Sequence, residues 1–237
     1  MFSHRMVVQV HLDVPDGGLG ARGKKDEAVR MRSTTSYIDV NAPVSDEVRH
    51  QISAADNNAL IVRLHFTINH LSRWLTPIHD PNRLERSLYR GEPTAKDLVI
   101  ALRDEEERTY PKMYLIATQP RADLDKLPEW APNPAVKKRD EATATIVLMA
   151  QFRRLRQGTC SLLRSVPDDA WDLVGYSRRE PNTNIRKLAE HLALSDYRLL
   201  RALDQTLDQV GAREGLAEIQ KTHLDELLKL VPDTLTL

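Results

Sequence analysis

The stretch LIVRLHFTINHLSRWL, residues 60–75, decides the fold class. Its apolar residues recur at three- and four-residue steps, which places them on one stripe of an α-helix. They are Leu60, Leu64, Ile68, Leu71 and Leu75. Ser45, which precedes two acidic residues, is a suitable N-cap, and Pro77 cannot continue a helix. The pattern predicts one long amphipathic helix that begins near residue 45 and ends before residue 77.

The rest of the chain repeats the helical pattern and carries few strand signals. Thr94-Ala95-Lys96-Asp97 resembles a capping box and starts a second helix, in which Pro111 predicts a kink or break. Four prolines predict an irregular linker over residues 120–139. Further helices are expected at 140–165, 184–210 and 214–230. The sequence therefore predicts an all-α fold: an up-down four-helix bundle with a proline-rich linker between its halves and an extra C-terminal helix.

Residues 1–44 differ from the rest because they show no helical periodicity. Val8, Val10, Leu12 and Val14 alternate with polar residues, as in a short strand. A weakly structured or disordered segment is the alternative and simpler interpretation, and Met31 is a second candidate for the start of translation. We therefore expect an N-terminal segment over residues 1–44 and a helical bundle over residues 45–237.

The composition argues against several classes of protein. Lys+Arg and Asp+Glu both number 34, so no net charge draws the chain to nucleic acid or to an anionic membrane. No apolar run approaches the roughly 18 residues needed to span a bilayer. The sequence has no glycine-rich phosphate loop and no Gly-x-Ser-x-Gly or His-Glu-x-x-His motif. The single cysteine, Cys160, is expected to be a buried, inert thiol. We therefore expect a cytoplasmic protein without a nucleic-acid or membrane partner.

Several stretches of the chain, in this order, resemble the DinB-like family. Residues 98–106 (LVIALRDEE) resemble its first half, and residues 167–172 (PDDAWD) with 185–192 (IRKLAEHL) resemble its second half. The resemblance covers residues 56–210. It implies a four-helix bundle with a divalent metal held by three histidines. That family includes metal-dependent S-transferases that use low-molecular-weight thiols, and mycothiol-dependent maleylpyruvate isomerases share the bundle.

Carried over to this chain, the three ligand positions are Ala101, His191 and Ser195. One of the three is a histidine, so the resemblance implies a degenerate metal site with no metal or a weakly bound Zn²⁺, Ni²⁺ or Mn²⁺. Glu105 stands one helical turn after Ala101, so a mixed site of Glu105, His191 and water is one alternative. The other alternative is that His191 only forms a hydrogen bond to Glu105 or Ser195.

Arg153 and Arg156 belong to a basic cluster on the third predicted helix. They are candidates for binding the carboxylates of a thiol cofactor, and a solvated face paired with acids is the alternative. Together these patterns predict a non-catalytic binding or interaction protein, with a small molecule or small thiol as ligand and a homodimer as its assembly. The alternative is a divalent-metal-dependent thiol S-transferase or isomerase with a site rebuilt around His191 and Glu105.

Overall fold

The computed structural model describes residues 37–131 and 133–232, so the predictions made for residues 1–36 lie outside it. Its helices are α1 (Asp46–Ala54), α2 (Asn57–Leu75), α3 (Pro81–Leu84), α4 (Ala95–Thr118), α5 (Pro134–Ala142), α6 (Thr145–Ser165), α7 (Ile185–Gln209) and α8 (Leu224–Leu228). A small antiparallel hairpin pairs β1 (Val174–Gly175) with β2 (Thr183–Asn184). The predicted all-α fold is confirmed. Across the described residues, no helix combines the length and apolar character that a membrane crossing requires.

The predicted first long helix is two helices, α1 and α2. Ser45 caps α1 as predicted, because its Oγ accepts a hydrogen bond from the N–H of Val48 (3.4 Å). Asp56 then accepts a second cap hydrogen bond from the N–H of Ala59 (2.7 Å), which starts α2 separately. The predicted apolar stripe lies wholly on α2 and is buried throughout: Leu60, Leu64, Ile68, Leu71 and Leu75.

Prolines have a smaller effect on the middle of the chain than the sequence predicts. The capping box of Thr94 and Asp97 starts α4 as predicted, but α4 continues through Pro111 without a break. The linker is not irregular throughout, because Pro134 lies in the first turn of α5. A proline is tolerated there, since the first N–H groups of a helix have no partner within the helix.

The predicted helix over residues 214–230 is wrong in its extent. Gly211 and Gly215 have left-handed backbone conformations (φ +64° and +80°), which interrupt regular helix after α7. What remains is a 3-10 turn at Glu218–Gln220 and the short helix α8. Within the predicted range, Ile219 and Leu230 are exposed, whereas Leu227 is buried.

Residues 37–44, which the sequence assigns to the N-terminal segment, pack against the bundle. Ile38 and Val44 are buried. The N–H of Ile38 donates a hydrogen bond to Glu92 Oε1 (2.8 Å), in the loop before α4. These contacts join the chain before α1 to the apolar core.

Four long helices form the bundle. α2 and α4 each pack against both α6 and α7, so α2 lies diagonally opposite α4, and α6 lies diagonally opposite α7. The core has two clusters, one around Trp74 and one around Trp171. α2 and α7 run from the Trp171 cluster to the Trp74 cluster, whereas α4 and α6 run the other way. The four-helix bundle is as predicted, but the predicted up-down order is corrected: the helices do not alternate in direction, and the neighbours α4 and α6 are parallel.

The linker between α4 and α6, residues 119–144, makes this parallel arrangement possible. It runs back along the outside of α4. Trp130 lies under the guanidinium of Arg108, whose carbon is 4.6 Å from the ring centroid. Further along the linker, Asp140 Oδ2 accepts a hydrogen bond from Arg103 Nη2 (2.7 Å), nearer the start of α4. The linker is thus antiparallel to α4 and returns the chain to the end of the bundle where α4 began.

A buried ionic layer separates the two apolar clusters. Arg156 of α6 is fully buried and pairs with Glu106 of α4 and with Asp196 of α7, whose Oδ1 is 2.9 Å from Nη2. Its Nη1 also donates to the carbonyl of Leu64 on α2 (3.0 Å), so all four long helices meet at one guanidinium. Thr159 Oγ1 donates to Glu106 Oε2 (2.5 Å). Burial lowers the pKa of Arg156, but the two carboxylates more than offset this and raise it above its usual value.

We predict that Arg156→Met destabilises the fold by about 3–5 kcal/mol, because Glu106 and Asp196 are left buried without their cation. Urea denaturation followed by circular dichroism measures the free energy of unfolding. Arg153→Met is the matched control, since Arg153 lies on the same helix and is exposed. It should change stability by less than about 0.5 kcal/mol. Equal stability of the two variants would contradict a structural role for the ionic layer.

Candidate functional site

The three positions at which the family resemblance places histidines lie on two helices that pack together. Ala101 is on α4, while His191 and Ser195 are one turn apart on α7. Ala101 has no donor atom in its side chain. Ser195 is buried, and its Oγ lies 3.5 Å from Nη2 of Arg198. A neutral hydroxyl beside a guanidinium is a poor metal ligand, so His191 alone keeps the chemistry that the family resemblance implies.

The structure brings His191 and Glu105 together. His191 Nε2 lies 3.3 Å from Glu105 Oε2, and the His191 side chain is 51% exposed. Arg108 occupies the other oxygen of the same carboxylate, with 3.5 Å between Nη1 and Oε1. The hydrogen bond with His191 lowers the pKa of Glu105 most; burial opposes it, and the charge of Arg108 lowers the pKa further. The Glu105 carboxylate is therefore ionised and engaged at both oxygens.

These residues do not fit a resident divalent metal. One imidazole and one carboxylate supply two ligands, whereas protein zinc sites use about three or four. The guanidinium of Arg108 already balances the carboxylate charge that a metal would need. Asp196, the next carboxylate along α7, is directed into the ionic layer and pairs with Arg156. No metal-dependent step follows from this arrangement.

The two candidate cofactor-binding arginines have different surroundings. Arg156 is fully buried, and its guanidinium is used by Glu106, Asp196 and the Leu64 carbonyl. The predicted cofactor role of Arg156 is therefore corrected: the residue has no surface donor, because it lies on the inward stripe of α6. Arg153 is exposed and borders a separate cavity of about 250 Å³ between α2 and α6. The two arginines do not face a common ligand.

A second group of metal-ligating side chains lies beside the C-terminal part of α7. His223 Nδ1 is 3.4 Å from an Oδ2 of both Asp204 and Asp208. Arg213 binds the Oδ1 of both carboxylates, at 2.6 and 2.9 Å, and leaves the Oδ2 atoms facing His223. Two carboxylates and one imidazole suit a weakly held divalent cation. They equally suit an ion pair with a protonated histidine, and Arg213 already supplies positive charge.

Two cavities lie between the linker and α4, and Trp130 borders both. The first, of about 620 Å³, is bordered by Arg108 and by the ion pair of Lys112 and Glu180 (2.6 Å). The second, of about 500 Å³, lies between α4 and α5 and includes the Arg103–Asp140 pair in its wall. Neither cavity is lined by His191, so both are separate from the position of the degenerate metal site.

The ionic layer was not predicted from the sequence, although a signal was present. On α6 a charged residue continues a buried stripe with four- and three-residue steps: Leu148, Phe152, Arg156, Thr159 and Leu163. Glu106 and Asp196 likewise lie among the buried residues of α4 and α7. One cation and two anions within three apolar stripes indicate a buried ion network. The sequence gives no comparable sign of the Arg103–Asp140 pair. Asp140 lies on α5, and α5 has no apolar stripe that would mark Asp140 as buried.

Comparison with known proteins gives little evidence about the function. No family model matches the sequence, and no curated protein matches it significantly. Among solved structures, the chain is similar to YfiT from Bacillus subtilis, described as a probable metal-dependent hydrolase with an unusual four-helix bundle topology. The two are 16% identical, and the match covers 74% of this chain and 93% of that chain with a TM-score of 0.48.

We predict that the Glu105 carboxyl titrates below its usual range, and that His191→Ala raises its pKa because the main hydrogen bond is lost. Carbon-13 NMR of the side-chain carboxyl measures both values. Since the folded pKa lies below the unfolded one, the pair stabilises the fold above the unfolded pKa, and this contribution disappears as pH falls through the folded pKa. His50→Ala, at an exposed position on α1, is the control. An unchanged Glu105 pKa in His191→Ala would contradict the assignment.

Proposed function

We propose that this chain is a DinB-like bundle that acts by binding a small molecule or a partner, without metal-dependent catalysis at His191. The observation that carries the proposal is the state of the three expected ligand positions. Ala101 and Ser195 offer no ligand, and His191 is engaged by Glu105, which is itself paired with Arg108. Two of the three positions at which the family resemblance places metal ligands therefore supply none, and the third takes part in a surface hydrogen bond to an ion-paired carboxylate.

The interior of the bundle supports a binding role. Metal sites in helical bundles are built from side chains that project inward from facing helices. In this chain the inward-facing charged groups of α4, α6 and α7 pair with one another, as Arg156 binds both Glu106 and Asp196. The two cavities of 500 Å³ or more along α4 lie outside the four-helix core, between α4 and the linker. Cavities of this volume are typical of small-molecule binding sites.

A divalent-metal-dependent thiol S-transferase or isomerase is the second candidate. The 3.3 Å distance between His191 Nε2 and Glu105 Oε2 favours it, since both atoms could reach one ion. Water would have to complete the coordination, and Arg108 would have to leave the carboxylate. This candidate therefore requires a rearrangement that the binding role does not.

We predict that the metal content of the protein does not depend on His191. The purified, tag-free protein and its His191→Ala and His223→Ala variants are analysed by inductively coupled plasma mass spectrometry. Thermal-shift scans with Zn²⁺, Ni²⁺ and Mn²⁺ accompany the analysis. His191→Ala should match the wild type in both measurements, because two ligands next to a guanidinium hold a divalent ion weakly.

The variants separate the alternatives. Near-stoichiometric metal that is lost in His191→Ala would overturn the proposal and favour the transferase, and thiol-transfer assays would then follow. Metal lost in His223→Ala alone would place the ion at Asp204, Asp208 and His223. That result would leave the proposal for His191 intact, because the C-terminal group lies on a different part of α7.

A further inference from the structure

An open apolar groove runs between α2 and α6. Two cavities, of about 250 and 200 Å³, lie side by side along it, because Thr76, Ile146 and Met149 border both. Most of the residues that border the groove are apolar, and one of them, Ile146, is 52% exposed. A contiguous apolar surface that stays in contact with water is typical of a binding site.

Arg153 supplies the groove with an unused cation. It is exposed, and it is the only lysine or arginine that borders either cavity. No aspartate or glutamate borders them. Among the described residues, none forms an ion pair with Arg153 or accepts a hydrogen bond from it. The guanidinium is therefore available to an anionic group of a ligand, and a planar guanidinium can bind a carboxylate through two parallel hydrogen bonds.

The two helices that form the groove carry positive charge without acids. Neither α2 nor α6 contains an aspartate or a glutamate, although the whole chain has as many acidic as basic residues. Burial lowers the pKa of His65 on α2, and the charges of Arg164 and Arg153 on α6 lower it further. The positive charge of α6 therefore acts across the groove on α2. A groove of this kind attracts an anion and disfavours a cation.

The cation and the apolar surface follow one another along the groove. Ile146 and Arg153 are seven residues apart on α6, so they lie on one face of the helix, about 10 Å apart along its axis. The smaller cavity continues from Ile146 to Ile78 and Leu84, and Arg153 does not border it. A ligand that fills the groove is therefore elongated, with an anionic group near Arg153 and an apolar remainder.

We propose that the groove between α2 and α6 binds a free medium-chain fatty acid in its carboxylate form. The carboxylate accepts hydrogen bonds from the guanidinium of Arg153, while the alkyl chain lies against Ile146 and Met149 and extends toward Leu84. The inference rests on the proposed function only in taking the chain for a binding protein. It gives that role a site and a ligand class.

Sodium decanoate is the probe, and isothermal titration calorimetry at low salt is the measurement. We predict a Kd on the order of 0.1 mM for a ligand of this size. Decylammonium, which has the same chain with the opposite charge, should bind at least about 10-fold more weakly, because Arg153 repels it. Octanoate should bind about 5-fold more weakly than decanoate, since it places two fewer methylene groups in a groove that is partly open.

Two exposed positions, each with a neighbouring control, test the charge and the apolar surface. Arg153→Gln should weaken decanoate binding at least about 5-fold, since the charge-assisted hydrogen bonds are lost. Arg154→Gln should leave binding unchanged, because Arg154 is exposed but borders neither cavity. Ile146→Asp should weaken binding about 10-fold, because it adds a carboxylate to the apolar wall. Val147→Asp is its control, since it adds the same acid to the same helical turn outside the groove.

Equal affinity for decanoate and decylammonium would overturn the proposal. So would equal decanoate binding by Arg153→Gln and Arg154→Gln. Sedimentation of the protein without ligand adds a further test: a homodimer that Ile146→Asp dissociates, together with no decanoate binding, would assign the groove to a second copy of the chain. Binding to vesicles of an anionic phospholipid without binding of decanoate would assign it to a membrane surface. None of these results bears on metal binding at His191, so the proposed function stands or falls separately.

Discussion

The guanidinium of Arg156 is the constraint on which the rest of the structure depends. A buried cation is tolerated only where anions and hydrogen-bond acceptors surround it, and here they come from three different helices. Sliding α4 or α7 by one turn would leave a carboxylate buried without its cation, and sliding α2 would remove a backbone acceptor of Arg156. Apolar stripes alone tolerate such a slip more easily. The ionic layer therefore sets the register of the bundle, while the apolar clusters on either side supply most of the stabilising burial.

The two helices that supply Glu106 and Arg156 run in the same direction. Glu106 and Arg156 lie near the middle of α4 and α6, and both helices pass from the Trp74 cluster to the Trp171 cluster. Two parallel neighbours cannot be joined by a short turn, so the linker must travel the length of α4 before α6 begins. It is held there by a second buried arginine, Arg103, and by the contact between Arg108 and Trp130. The cavities along α4 lie between that helix and the linker.

Much of this architecture could be predicted from the sequence, because it depends on local chemistry. The stripe of α2, the caps at Ser45 and Thr94 and the end of α2 before Pro77 all depend on residues a few positions apart. The order of helix directions could not, since it depends on pairings such as Arg156 with Asp196, which are 40 residues apart. The candidate site shows the same division. Glu105 and His191 could be paired by helix spacing and family resemblance, whereas nothing local indicated that Asp140 would meet Arg103.

Arg156 and Arg103, two of the buried arginines, differ in what they hold together. Arg156 lies among groups that are satisfied: Glu106 and Asp196 each use both carboxylate oxygens in hydrogen bonds within the layer. A polar network of this kind gains nothing from a ligand, so it specifies a fold. Arg103 belongs to a less complete network, because Asp140 Oδ1 is buried, accepts no hydrogen bond from a described residue and lies 3.9 Å from Arg139 Nε. Arg103 and Asp140 tie the linker to α4, so this pair fixes one segment, whereas Arg156 joins all four long helices.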